Sequence, residues 1–277
     1  VRARGLPEFW LGGPVEIPTG CSYREVISSK GIDMGMTEPP PVSNMLRLAL
    51  CLAASASTGG VIVSEPLLYP LEDEAGTMAE GYISYDTEWL DAPAVIVVHQ
   101  WQGLGSTEEM HARDLAERGF VGFAIDMYGQ GCRGQPCGPE MAAYLRGENP
   151  SELRRRAERG LQVLAEQAFV NADKIGANGY CFGGTVVLEM ARAAMPVAGV
   201  VSFHGGLVPL IGDSTIPADI AVQVHTGDLD PITENDLDDM NEEMRSAGLA
   251  YWGSFIYGNC AHGWTDPNSG AYRQREG

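Results

Sequence analysis

The sequence predicts an α/β fold, a mainly parallel sheet with helices on both faces. Three observations carry this expectation. From residue 81 onward, strand-like apolar runs alternate with helical stretches. Residues 94–99 (AVIVVH) are continuously apolar up to the histidine, the pattern of a strand buried on both faces of a parallel sheet. Gly179-Tyr180-Cys181-Phe182-Gly183-Gly184 lies between a short strand at 174–178 and a helix at 185–195. That places a sharp turn where a strand passes into its crossover helix.

In chain order, residues 81–85 read as an edge strand at the front, followed by the buried strand 94–99. Thr107 with Glu108 and Glu109 opens a helix that runs to Arg118 and stops at Gly119. Residues 120–125 make the next strand, ending at Asp126, and a loop extends to Pro139. Helical stretches follow near 140–146 and over 151–168. After the cysteine turn come strands at 198–203 and 220–226, separated by a loop that holds His204-Gly205-Gly206. Residues 233–247 form a helix with an acidic face, and 251–257 the last strand. Sites in such sheets lie at the carboxyl ends of the strands. His99, Asp126, Cys181, His204 and Thr226 all fall there. Residues 265–277 are polar and offer no covering helix. The expected unit is therefore one domain over 81–277, truncated at its C-terminus.

The 277 residues, 44% of them hydrophobic, suffice for a sizeable core. Formal net charge is −19, and the first 56 residues hold five basic and five acidic side chains, so the excess sits on the remainder. An acidic body repels phosphate backbones and anionic lipid, which argues against nucleic-acid and membrane-surface partners. No apolar run approaches the roughly 18 residues of a spanning helix, so stable membrane insertion is not expected. Residues 1–44 are rich in Gly and Pro without periodicity. At 45–56 (MLRLALCLAASA) one basic residue, a short apolar run and an Ala54-x-Ala56 site read as a secretory signal, with a buried helix as the alternative. On the first reading Met45 is the true start and the chain enters the secretory pathway; on the second it is cytoplasmic. Residues 1–56 are set outside the domain, and 57–80 read as a linker. Oligomeric state is not legible.

Cysteines stand at 21, 51, 132, 137, 181 and 260, too few for a disulfide scaffold and without zinc-ligand spacing. Cys132 and Cys137 flank Arg133-Gly134-Gln135-Pro136 and read equally as a bridge or as two loop thiols.

The G-x-C-x-G turn is the cysteine version of a nucleophile elbow. Side chains at 179 and 183 would collide with neighbouring segments, and the turn sets the sulfur at a helix N-terminus, which favours thiolate. A cysteine nucleophile needs a base and a group that orients it. In the elbow fold the order is nucleophile, acid, histidine. Of the five histidines only His262, directly after the last strand, follows both the elbow and the strand-end acids. Asp230, in Gly227-Asp228-Leu229-Asp230, is taken as the acid, with Asp228 the alternative. The backbone N–H of Phe182 serves as one oxyanion donor, and the N–H of Trp101 is assigned as the second. His99, His204 and His225 read as structural histidines, since nothing places them with a carboxylate at metal spacing.

These residues resemble the dienelactone hydrolase family of α/β-hydrolases. The matching segments are Gly81-Tyr82, Tyr85-Asp86, residues 97–104, Asp126-Met127-Tyr128-Gly129, residues 179–184, residues 202–206, Gly227-x-x-Asp230-Pro231 and residues 262–267. The resemblance implies an α/β-hydrolase fold and a Cys–His–Asp triad on Cys181, His262 and Asp230. It also implies hydrolysis of lactones or small carboxylic esters, with neither metal nor organic cofactor. The best-known members carry Glu where this chain has Gln100, and bind the substrate's carboxylate with arginines where this chain has Gln130 and Asp266. Arg133 is the candidate substitute, and Gln100, Arg133 and Trp264 are assigned to the substrate pocket. These departures argue against dienelactone itself as substrate.

The expected activity is a cysteine-dependent hydrolase of a small-molecule ester or lactone, working through an acyl-enzyme on Cys181. The rival expectations are a non-catalytic ligand-binding protein of the same fold, motivated by Gln100 and the lost arginines, and an acyltransferase using the same triad.

Overall fold

The computed structural model describes residues 22–25, 60–71, 76–212, 214–231, 236–266 and 269. The suggested signal at 45–56 and most of the polar tail lie outside these residues. The strands are β1 (Ser22–Glu25), β2 (Ile62–Pro70), β3 (Met78–Asp86), β4 (Ala92–Val98), β5 (Val121–Ile125), β6 (Val170–Tyr180), β7 (Gly199–Phe203), β8 (Ala221–Gly227) and β9 (Trp252–Gly258). The helices are α1 (Ser106–Glu117), α2 (Gly138–Ala143), α3 (Pro150–Ala165), α4 (Phe182–Arg192) and α5 (Leu237–Ser246), with a wider π-helical turn at Tyr144–Glu148 that extends α2.

The strands form one nine-stranded sheet in the order β1-β9-β8-β7-β6-β4-β5-β3-β2. From β5 to β9 neighbours run parallel, while β3 and β2 at one edge and β1 at the other are antiparallel. The fold class is the expected one, an α/β-hydrolase arrangement. The central strands β5 and β7 are buried along their whole length, which is why they read as unbroken apolar runs. Alternation sends Ile96, Val98, Phe123 and Ile125 to one face of the sheet and Val97, Ala124, Val201 and Phe203 to the other.

Helix α1 buries Glu108, Ala112, Leu115 and Ala116, one stripe at helical spacing. Helix α3 starts with Pro150 at its first position, and the Asn149 side chain accepts the Glu152 N–H at 3.2 Å. Helix α4 is buried on all sides. Its Glu189 and Arg192, both fully buried, pair with each other, and Arg192 also bonds Glu243 on α5 while Glu189 bonds Arg154 on α3. Buried charge is tolerated because each group is matched.

Two expectations are corrected. The segment read as a linker at 57–80 carries β2, paired residue by residue with β3 from Ile62–Asp86 to Pro70–Met78. Consequently β3 is not the edge of the sheet. Pro66 and Pro70 make β2 read as a non-strand, yet an edge strand accommodates them.

Candidate active site

Strand β6 ends at Tyr180, and Cys181 occupies the turn into α4 with φ 54° and ψ −110°, a conformation rarely adopted by a residue with a side chain. The flanking glycines allow it. A Cβ on Gly179 would lie 2.0 Å from the Gly183 carbonyl oxygen, and one on Gly183 would lie 2.2 Å from that of Val98. The chain thus holds the thiol above the sheet at a helix N-terminus.

Two further strand ends bring their side chains to this thiol. His262, after β9, has Nε2 at 3.1 Å from Cys181 Sγ. Its Nδ1 lies 2.8 Å from Oδ2 of Asp230, which follows β8 and is buried. Burial opposes a charge on His262, but the hydrogen bonds to Asp230 and Cys181 and their negative charge outweigh it, raising its pKa to about 9. Asp228, the alternative acid, instead accepts the Cys260 N–H at 3.1 Å and steadies the loop that carries His262. Cys132 and Cys137 are joined as a disulfide, and Cys260 is also disulfide-bonded. Among the described residues, Cys181 is the free thiol.

The oxyanion candidates lie in two turns, one at the start of α4 and one after β4. Phe182 begins α4, so its N–H has no intrahelical acceptor. Trp101 lies in the turn closed by the Gly103 N–H donating to the Gln100 carbonyl at 3.2 Å. The Trp101 carbonyl accepts from the Tyr128 hydroxyl at 3.1 Å, which sets the orientation of that loop. Asp126 in turn shapes the Tyr128 loop, accepting the N–H groups of Tyr128 and Gly129 at 3.0 Å each.

Of the residues assigned to a substrate pocket, Gln100 is buried and its amide donates to Asp266 Oδ2 at 3.1 Å. Arg133 is not available as an anion clamp: its guanidinium is committed to Glu80 at 2.9 Å and to Glu109. Trp264 is fully buried against Tyr257, with ring centroids 4.4 Å apart, so it belongs to the core rather than to an open pocket. The two corrections have different causes. Arg133 is engaged by Glu80 and Glu109, which are distant in sequence, whereas Trp264 packs back on Tyr257 of the strand that precedes it.

The three other strand-end histidines are buried and hydrogen-bonded. His99 Nε2 accepts the Met127 N–H at 3.1 Å, so its Nδ1–H donates to the Gln100 carbonyl at 2.6 Å. His225 Nδ1 meets the Tyr257 hydroxyl at 2.8 Å. His204 Nδ1 accepts the Cys181 N–H at 3.1 Å. Sequence reasoning passed over Thr265, whose hydroxyl lies 2.7 Å from His204 Nε2. Its place three residues after His262 was the one available signal. Among the described residues, no cluster of three or more His, Cys, Asp or Glu side chains could hold a metal ion. Nor is any described helix long and apolar enough to cross a membrane.

The sequence pattern of the dienelactone hydrolase family matches residues 80–276. The chain belongs to the dienelactone hydrolase family. As a dienelactone hydrolase family member it is a carboxylic ester hydrolase, acting on lactones or esters. An Aquifex aeolicus protein whose name describes a carboxymethylenebutenolidase is 29% identical over 46% of this chain and 59% of its own length. A Bradyrhizobium protein whose name describes a 2-oxo-3-(5-oxofuran-2-ylidene)propanoate lactonase is 28% identical over 65% of this chain and 77% of its own. The solved dienelactone hydrolase-like promiscuous phosphotriesterase P91, from metagenomic libraries, superposes with a TM-score of 0.67 at 28% identity, covering 77% of this chain and 89% of that one. The esterase Est2 of Thermogutta terrifontis, 16% identical with a TM-score of 0.56 over 76% of this chain and 89% of its own, shares the fold.

Proposed function

We propose that the protein hydrolyses small, uncharged carboxylic esters or lactones through a thioester on Cys181. The observation that carries this reading is the continuous array Cys181 Sγ, His262 imidazole, Asp230 carboxylate, at 3.1 and 2.8 Å. His262 takes the thiol proton, and Asp230 holds the imidazole with Nε2 toward sulfur. Sulfur attacks the acyl carbon, an S–C bond forms, and the carbonyl π electrons move to oxygen, which faces the Phe182 and Trp101 amides. Collapse of that intermediate breaks the C–O bond, and His262 returns the proton to the departing alkoxide. Water then attacks the thioester while His262 accepts its proton, releasing acid and restoring the thiol.

An uncharged substrate fits the surroundings. Arg133 is already ion-paired, and the carboxyl group at position 266 stands where the best-known relatives carry a cation. The test is turnover of p-nitrophenyl acetate and of a simple lactone by the full chain and by Cys181→Ala. Loss of at least ~10³-fold in the variant is expected. Undiminished turnover in a folded variant overturns the cysteine mechanism. Product analysis with added alcohol separates hydrolysis from acyl transfer.

A further inference from the structure

We propose that His204 and Thr265 form a positioning pair that sets the reach of His262 toward Cys181. The proposal rests on the reading of Cys181 and His262 as nucleophile and base. His204 follows β7 with φ 41°, in the left-handed region that disfavours residues with a side chain. Its own N–H donates to the His225 carbonyl at 2.8 Å, and this odd backbone turns the ring under the elbow. There the ring meets both halves of the reactive pair.

On one side, Nδ1 accepts the N–H of Cys181 at 3.1 Å, an amide that also donates to the Phe203 carbonyl at 2.9 Å. A neutral imidazole accepting at Nδ1 carries its proton on Nε2. On the other side, therefore, Nε2–H donates to Thr265 Oγ1 at 2.7 Å. Thr265 sits in the turn closed by the Asp266 N–H on the Gly263 carbonyl at 3.0 Å, immediately downstream of His262. The His204 ring also stands edge-on to that of His262, with centroids 5.0 Å apart. One imidazole thus braces the nucleophile's backbone, the base's loop and the base's ring.

The arrangement has two chemical consequences. The Cys181 amide is used up, leaving the Phe182 amide to face a developing oxyanion. The Cys181–His262 distance depends on a loop that Thr265 pins, and a misplacement of about 1 Å can cost on the order of 10²-fold in rate. The bond requires His204 to stay neutral. Full burial lowers its pKa to about 3, the neighbouring charge of His262 acts in the same direction, and Asp230 opposes. The titratable groups facing the ring are Cys181, His262, Asp230 and Tyr180.

Thr265→Val removes the acceptor while keeping the shape, and Thr265→Ser restores it. In the full chain we expect Thr265→Val to lower kcat on p-nitrophenyl acetate about 10- to 100-fold with KM within about twofold. It should also displace the pH profile of Cys181 alkylation by iodoacetamide. Thr265→Ser should return both to wild type. His204→Asn keeps an acceptor for the Cys181 amide but is too short for Thr265. It should reproduce the Thr265→Val deficit, and the double variant should be no worse than either single one. Alkylation reads the pair without any turnover, so a wild-type chain with no esterase activity but a shifted Thr265→Val profile still supports the pair. A wild-type kcat and alkylation profile in Thr265→Val, or failure of Thr265→Ser to rescue it, overturns the proposal.

Discussion

The side-chain amide of Gln100 donates to the Asp266 carboxylate at 3.1 Å, joining two loops 166 positions apart in sequence. Gln100 follows β4 beside the oxyanion candidate Trp101, and Asp266 lies in the turn after His262. The bond therefore ties the two sides of the site together. Nearby Glu108 is also buried, and burial, aided by the Asp266 charge, raises its pKa while local N–H groups oppose the rise.

Gln100→Glu should accordingly destabilise the protein. It replaces a donor by a second carboxyl group facing Asp266, so one of the two must hold a proton or repel the other. The folded-state pKa of that carboxyl is raised, so the unfolded chain ionises more readily. The loss then grows as pH rises above the ordinary Glu range near about 4.3. About 1–3 kcal/mol is expected at pH 8 and less at pH 5, measured by urea denaturation. Equal stability of variant and wild type at both pH values would contradict the Gln100–Asp266 contact.

Asp230→Asn should lower kcat on the order of 10³- to 10⁴-fold, because an amide no longer enforces the His262 tautomer. It should also lower the His262 pKa, since burial remains while the largest raising influence, the hydrogen bond to Asp230, is lost together with that carboxylate's charge. The sign for stability follows. A histidine whose pKa is raised on folding contributes stability fully below about 6.5, its unfolded value, and loses it as pH rises through the folded value. Wild type should therefore lose stability between pH 6.5 and 9. Asp230→Asn should lose less over the same range, as followed by thermal unfolding.

Gly183→Ala should cost roughly 3 kcal/mol or more, because its Cβ would meet backbone that cannot yield. The nearest atom is the Val98 carbonyl oxygen, 2.2 Å away. Gly131→Ala, whose Cβ would enter open space, should change stability by no more than about 0.5 kcal/mol. Thermal unfolding of the two variants separates elbow sterics from a general intolerance of glycine replacement.

Arg133→Ala should cost about 1 kcal/mol through its lost pairs with Glu80 and Glu109. It should leave the ratio of kcat/KM for anionic over neutral esters unchanged. A selective loss on the anionic ester would return Arg133 to substrate binding.

The elbow was legible in the sequence because its requirements are local. Glycines at 179 and 183, a strand before and a helix after are all read within a short window. The order of the strands then left His262 and Asp230 as the groups a topological argument can bring to Cys181. The choice between Asp230 and Asp228 was harder, because it depends on a contact that spacing does not reveal, the Cys260 amide on Asp228. Arg133 misled for the same reason: a cation in a loop near the site looks available until Glu80 and Glu109 arrive from β3 and α1. Strand β2 was hidden by its prolines. His204 was recognised as structural, but its link to Thr265 depends on a left-handed backbone angle that histidine does not announce.

The most direct test is the mass of the intact chain quenched shortly after mixing with an activated ester that deacylates slowly. An increment equal to the acyl group, mapped by peptide digestion to Cys181 and absent in Cys181→Ala, is the expected result. Turnover by wild type with no such adduct, or an adduct retained in Cys181→Ala, contradicts nucleophilic catalysis by Cys181.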